Sequence, residues 1–252
     1  WHIWVKKKIT FSEDMASSKD SKRWATKSSK SWIHEPFSKN QKNYLAHYYL
    51  GKAYLNENKP ELALIEYKLV NDNALFGEGI NEITFRTEYA ELLLKYNHNN
   101  EALKNYLLLT KMAPTNAENF FNTGKLYIAA NRYDIALGFM QKAAILDKKH
   151  AKAHAEIGLI QYRLKNFAEA RKEIDIAIKL NPETYSTYYY LGKIQKDSKD
   201  YGAAIKSFEK AQRDPEMKVK AIIEHGSCYM IANRFDNAAV DFLRAIDLDK
   251  ET

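Results

Sequence analysis

The sequence predicts an all-α fold, a solenoid of helical hairpins that follows a flexible, basic N-terminal arm. Glycine and proline are scarce, at 9 and 5 of 252 residues, which favours helices over a turn-rich β-fold. The composition changes near Gln41, where a basic segment gives way to a nearly neutral one. Glycines recur at a fixed spacing of 34 residues, and such a period indicates a repeat architecture. These glycines are Gly124, Gly158, Gly192 and Gly226.

The arm is predicted to span residues 1–41, and the repeat domain residues 42–252. Residues 1–41 carry nine Lys/Arg against four Asp/Glu. Met15 to Ser31 is rich in serine and lysine and poor in branched apolar residues, a composition typical of flexible linkers. All four tryptophans of the chain lie in this segment, and we expect them to anchor the arm to whatever it binds. They are Trp1, Trp4, Trp24 and Trp32.

The opening stretch WHIWVKKK has three interpretations. In the first, it is the end of a membrane anchor upstream of Trp1, because membrane interfaces favour tryptophan and then lysine. In the second, it packs on a neighbouring subunit or on the chain's own repeats, since tryptophan is a preferred interface anchor. In the third, it binds nucleic acid. The first two are favoured, because the positive charge of the arm is modest for a nucleic-acid partner.

Each repeat reads as two amphipathic helices with small residues at fixed places. Twelve residues after each glycine stands an alanine, and four residues further on a bulky apolar residue. The small residues let the two helices approach closely, and the bulky one fills the space beside them. In one repeat we predict helices over 118–130 and 134–146, joined at Asn131 and Arg132. Two weaker upstream copies complete six repeats, which start at Tyr44, Ile83, Ala117, Ala151, Tyr185 and Val219.

This pattern resembles the tetratricopeptide repeat, whose period is 34 residues. The resemblance covers residues 44–252. It implies a right-handed solenoid of helical hairpins whose concave surface binds proteins, either as extended peptide segments or as neighbouring subunits. The chain departs from the family pattern at Gln161 and Gln195, which stand where the family has tyrosine. We expect looser packing at both glutamines.

The resemblance also implies that the first helix of each repeat lines the concave surface. The family's clamp for a terminal carboxylate has lysine at the fifth place and asparagine at the ninth, and this chain lacks it. Repeats one, three and five instead have an aromatic residue at the fifth place and a lysine at the ninth, on one helix face. These pairs could receive a peptide with acidic and apolar residues, or the aromatics could pack internally beside solvated lysines. The candidate residues are Tyr48 and Lys52, Phe121 and Lys125, and Tyr189 and Lys193.

Catalytic chemistry is not predicted. The sequence has no evident nucleophile with a base and no glycine-rich phosphate loop. Cys228 stands at a repeat place that is otherwise apolar, which predicts a buried thiol. His150 and His154 have a spacing that could hold a metal, but no third ligand is evident, and packing explains His154 better. We therefore expect a non-catalytic protein with no cofactor and no metal.

These observations predict a scaffold that assembles other proteins. The abundance of Asn, Lys, Ile and Tyr suits an A/T-rich bacterial genome. With the arm, this favours a membrane-associated bacterial complex of the secretion, pilus or flagellar-motor assembly type, on either the periplasmic or the cytoplasmic face. No apolar run in the sequence is long enough to span a membrane, so a membrane anchor, the first of the three interpretations of the arm, would lie upstream of residue 1. The alternative is a protein that binds nucleic acid through the basic aromatic arm.

Overall fold

The computed structural model of the protein describes residues 44–73, 76 and 79–250. The arm and its four tryptophans lie outside these residues. The described residues form twelve α-helices and no strand, so the predicted all-α class is confirmed. In chain order the helices are α1 (Tyr44–Asn56), α2 (Pro60–Asn73), α3 (Glu82–Lys95), α4 (Asn99–Met112), α5 (Ala117–Ala129), α6 (Tyr133–Leu146), α7 (Ala151–Arg163), α8 (Phe167–Leu180), α9 (Tyr185–Asp197), α10 (Tyr201–Ala211), α11 (Lys218–Ile231) and α12 (Phe235–Lys250).

The chain forms two compact units, one ending at Leu92 within α3 and the other beginning at Leu93. In the first unit, α1 packs against α2. In the second unit, the two helices of each hairpin pack together, and each second helix packs on the first helix of the next hairpin, as α10 does on α11. The predicted solenoid of helical hairpins is thus confirmed. In this unit α9 also adjoins α7 and α11. We call the outward surface of α5, α7, α9 and α11 the first-helix face.

Glycine lets the two helices of a hairpin approach closely. A Cβ atom added at Gly158 would lie 2.6 Å from Cγ1 of Ile174 and 3.1 Å from the carbonyl oxygen of Ala170. At Gly192 an added Cβ would lie 2.7 Å from the ring of Phe208. Both distances are shorter than ordinary van der Waals contact. The close contacts predicted from the glycine spacing are therefore confirmed.

The turn between the two helices of every hairpin contains one residue with a left-handed backbone. This conformation ends the first helix, and the next N–H bonds back to a carbonyl of the last turn, as Asn166 bonds to Gln161 at 2.9 Å. Asparagine tolerates this backbone better than most residues do. The left-handed residues have φ between 54° and 64° and are Asn58, Asn97, Asn131, Lys165, Lys199 and Asn233.

The expectation of loose packing at the two glutamines is wrong. Gln161 and Gln195 are both buried. The side-chain oxygen of Gln195 accepts a hydrogen bond from the hydroxyl of Ser207 at 2.7 Å. That of Gln161 accepts from the side-chain amide of Asn166 at 2.8 Å. At both places, the glutamine that stands instead of tyrosine is therefore held by a hydrogen bond to a residue of its own hairpin.

We predict that Gly158→Ala lowers the free energy of unfolding by about 1–3 kcal/mol, because the added methyl group meets Ile174 near its branch point and a backbone carbonyl. The matched control is Gly138→Ala in α6, where an added Cβ meets nothing within 4 Å. That change should raise stability by about 0.5–1 kcal/mol through helix propensity. Urea denaturation of both variants gives the two values. Changes of the same sign would contradict this description of the hairpin contact.

Candidate functional site

Two of the three predicted aromatic residues lie inside the fold. Tyr48 is 6% exposed and its ring meets those of Tyr67 and Phe85 edge-on, each at 5.8 Å between centroids. Phe121 is 5% exposed and lies 4.7 Å from the imidazole of His150. For these two residues the structure favours internal packing. Tyr189, in contrast, is only partly buried on the first-helix face.

Lys52 pairs with a glutamate of the next repeat. Its Nζ lies 3.1 Å from Oε1 of Glu88. The hydroxyls of Tyr48 and Tyr67 donate to Oε2 of Glu88 at 2.9 and 3.2 Å. Burial raises the pKa of both tyrosines, which keeps their hydroxyls protonated as donors. Glu88 therefore has three donors within the chain.

Lys193 pairs in the same way with Glu224 of the next repeat. Nζ of Lys193 lies 2.7 Å from Oε1 of Glu224, and Nζ of Lys196 lies 2.7 Å from Oε2. Lys196 also donates to the hydroxyl of Ser227 at 2.8 Å. Burial opposes ionisation of Glu224, but hydrogen bonds from the two lysines outweigh it and hold the pKa of Glu224 below its usual range. Glu224 therefore already offsets the charge of Lys193, and a ligand carboxylate would gain less from this lysine.

Glu156 on α7 is the third glutamate at this repeat place, and its partners are missing. It follows Glu88 and precedes Glu224 by two repeats each. Among the described residues, no hydrogen bond or ion pair to Glu156 is formed. Burial raises the pKa of its carboxyl group, and the charges of Lys125 and Arg163 offset this only in part.

Three substitutions between repeats remove the donors from Glu156. Phe121 and Met140 occupy the places that Tyr48 and Tyr67 hold beside Glu88, so both phenol hydroxyls are lost. Ile128 occupies the place that Lys196 holds beside Glu224, so the second ammonium is lost as well. We call Phe121, Lys125, Ile128 and Glu156 the open glutamate site.

Apolar side chains lie beside the Glu224 ion pairs on the first-helix face. Ile223 and Met230 on α11 are 46% and 45% exposed, and Ile231 is similarly exposed. On the neighbouring helix, the rings of Tyr189 and Tyr190 meet edge-on at 5.3 Å. Tyr190 also approaches Tyr162 of α7, at 6.1 Å. The surface thus combines aromatic rings and aliphatic side chains with fixed charges.

The histidines and the cysteine have local structural roles. Nδ1 of His154 lies 2.6 Å from Oε2 of Glu173, within the same hairpin. Nδ1 of His150 accepts from the backbone N–H of Ala153 at the start of α7. Among the residues that the structure describes, no group of three or more His, Cys, Asp or Glu could hold a metal ion. Cys228 is fully buried, as predicted, and burial raises the pKa of its thiol.

We predict opposite stability changes for two isosteric variants. Glu224→Gln should destabilise the chain by about 1–3 kcal/mol at neutral pH, since it leaves two lysines without their charged acceptor. Glu156→Gln should stabilise it at neutral pH, because it removes an ionised group that burial disfavours.

Both effects should vanish at low pH. A lowered folded-state pKa contributes stability above the unfolded value of about 4.3, and a raised one costs stability there. The Glu224 benefit is lost as pH falls through its folded pKa, and the Glu156 penalty is absent below about pH 4. Thermal melts of the two variants and the unmodified chain at neutral and acidic pH measure this. A destabilised Glu156→Gln at neutral pH would show that this carboxylate is already matched.

Comparisons with known proteins agree with the fold of helical hairpins. The family model described as tetratricopeptide repeat matches residues 121–183 and 155–218. Tetratricopeptide repeat protein 37 of Xenopus laevis is 26% identical over 168 residues. That match covers 64% of this chain but only 11% of the Xenopus protein.

Solved structures share the fold at low sequence identity. Pseudomonas aeruginosa pilF is 16% identical with a TM-score of 0.65, covering 83% of this chain and 93% of that one. YrrB, described as a TPR protein with an unusual peptide-binding site, is 16% identical with a TM-score of 0.57, covering 75% and 96%. MamA from Desulfovibrio magneticus is 17% identical with a TM-score of 0.61, covering 69% and 98%. Within the described ranges, none of the helices is long and apolar enough to cross a membrane.

Proposed function

We propose that this chain, whose residues 121–218 match the tetratricopeptide-repeat family model, is a non-catalytic scaffold that binds extended peptide segments of other proteins on its first-helix face. The observation that carries the proposal is the row of exposed apolar side chains on α11, next to the aromatic rings of α9. Ile223 and Met230 each leave nearly half of their surface in water. A partner that covers them gains hydrophobic free energy, about 25 cal/mol per Å² of apolar surface buried.

The charges on this face favour an apolar ligand over a strongly acidic one. Lys193 on α9 already has a carboxylate partner in the chain. An acidic peptide would gain less from this lysine, because Glu224 already offsets its charge. We propose that Lys125 and Lys193 flank the bound segment, that Tyr189 contacts it directly, and that Phe121 packs beneath this surface. In the first unit, we propose the same two roles for Lys52 and Tyr48 on α1. The peptide-binding site described for YrrB, which has the same fold, is consistent with this mode of binding.

We extend the proposal to a bacterial, membrane-associated complex of the secretion, pilus or flagellar-motor assembly type. Its support is the sequence of residues 1–41, whose tryptophans and following lysines suit a membrane interface. In this account the arm places the repeats close to the membrane, and the repeats hold a partner there.

Peptide selection tests the binding function. The full chain, immobilised, should select peptides rich in apolar residues from a random-peptide phage library. Ile223→Lys should weaken the selected peptides about tenfold or more, because it places a charge at the centre of the apolar surface. The matched control is Val240→Lys on α12, which is 65% exposed and lies on a second helix. If Val240→Lys weakens binding of the selected peptides and Ile223→Lys does not, the peptides bind a different surface.

A pull-down tests the role of the arm. From native membranes, the full chain should recover membrane proteins together with the repeat-bound partner, whereas a chain lacking residues 1–41 should recover the partner alone. Mass spectrometry of the two eluates, with matched bait amounts, gives the comparison. The same membrane proteins in both eluates would contradict a tethering role for residues 1–41.

A further inference from the structure

We propose that Glu156 receives an ammonium group of the bound peptide, supplied by a lysine side chain or by the peptide's amino terminus. This inference rests on the proposed peptide-binding function and names the chemistry that one part of the site recognises. It depends on a comparison of three equivalent places within this one chain.

The three glutamates Glu88, Glu156 and Glu224 stand at equivalent positions of their repeats. Repeats one, three and five have a lysine at the ninth place of the first helix, and each following repeat has a glutamate at the sixth place. In repeats one and five the two side chains form an ion pair. Two of these glutamates have donors from the chain. Glu88 accepts from Lys52 and two tyrosines, and Glu224 accepts from two lysines. A carboxylate can accept up to four hydrogen bonds, and Glu156 accepts none from the described residues.

The missing donor can be identified by its position. Lys196 precedes Glu224 in the sequence by the same number of residues as Ile128 precedes Glu156. Where Lys196 delivers an ammonium from within the chain, Ile128 offers only a partly buried apolar surface, packed against the cluster that contains Phe121. The aliphatic stem of an incoming lysine can cover Ile128 while its ammonium reaches Glu156. Lys125 then completes the arrangement of two ammonium groups around one carboxylate.

The neighbouring cations do not already fill this role. The guanidinium of Arg163 lies over the ring of Tyr133, 5.2 Å from its centroid. Nζ of Lys125 lies 5.8 Å from the ring centroid of Phe121 and is not in an ion pair with Glu156. An anionic ligand group would meet the Glu156 carboxylate in a partly desolvated place, where like charges repel most strongly. The site therefore selects a hydrogen-bond donor with positive charge.

An internal substitution tests the geometry without any peptide. Ile128→Lys should place an ammonium at Glu156, as Lys196 does at Glu224, and should give a higher Tm than the uncharged control Ile128→Met. In the Glu156→Gln background this advantage should disappear. An advantage that persists without the carboxylate, or none in either background, would overturn the assignment of Ile128 as the vacant donor place.

The ligand chemistry is tested with peptides selected from a random-peptide library by the full chain. The unmodified chain should enrich peptides with lysine or with a required free amino terminus, and Glu156→Gln should enrich apolar peptides without that preference. In synthetic peptides, replacing the lysine with norleucine should weaken binding to the unmodified chain roughly ten- to hundredfold. The same replacement should have little effect on binding to the Glu156→Gln variant. Acetylating the amino terminus distinguishes the two sources of the ammonium.

The outcomes separate this inference from the proposed function. If both proteins select the same apolar peptides with no preference for an ammonium, the inference fails and the peptide-binding function stands. If the selected peptides are acidic and depend on Lys125, the inference fails in favour of anion recognition. If neither protein selects any peptide, the proposed function fails and the inference fails with it.

Discussion

The structure depends on the close contact between the two helices of a hairpin, where glycine faces a bulky apolar side chain, as at Gly124, Gly158 and Gly192. At Gly158 the space for even one methyl group is taken by Ile174 and by the backbone at Ala170. Because this contact recurs at every 34 residues in the later repeats, it fixes how far each first helix can rotate and slide. Side chains at equivalent places then meet equivalent neighbours. The first-helix face is a consequence of that register, and so are the ion pairs that cross it.

The repeat register explains why Lys193 meets Glu224 and why Lys125 and Glu156 stand at the equivalent places two repeats earlier. Both pairs join the ninth place of one first helix to the sixth place of the next. The chemistry at these places is set by a few neighbouring residues that the fold itself does not constrain. Lys196 completes one site, and Ile128 leaves the other open. Evolution can therefore change the ligand chemistry of this face without disturbing the glycine contacts that hold the hairpins together.

The sequence predicted the hairpins well because the glycine and alanine places are dictated by backbone proximity. The first helices begin at or one residue before the repeat starts read from the sequence, as α3 does at Glu82. The left-handed residue in each turn was signalled by asparagine in four repeats but not by Lys165 and Lys199. The loose packing expected at Gln195 did not occur, because Ser207 supplies a hydrogen bond that only the folded hairpin brings near.

The site was predicted less completely than the fold. The pairing of aromatic residues with lysines did not show that Tyr48 and Phe121 are buried. It also missed the glutamates. Glu88, Glu156 and Glu224 recur in step with the lysines, and this signal was available in the sequence. What the sequence could not show is which glutamate lacks donors, because the hydroxyl of Tyr67 reaches Glu88 from another helix.

We infer that Glu156 is an unmatched carboxylate in a series of matched ones. The most direct measurement is an NMR titration of the side-chain carboxyl carbons in the free chain. Glu156 should titrate above the usual range for glutamate and Glu224 below it, because burial is only partly offset at the first and is outweighed by two lysines at the second. If both groups titrate together, or in the reverse order, Glu156 is satisfied within the chain and the open glutamate site does not exist.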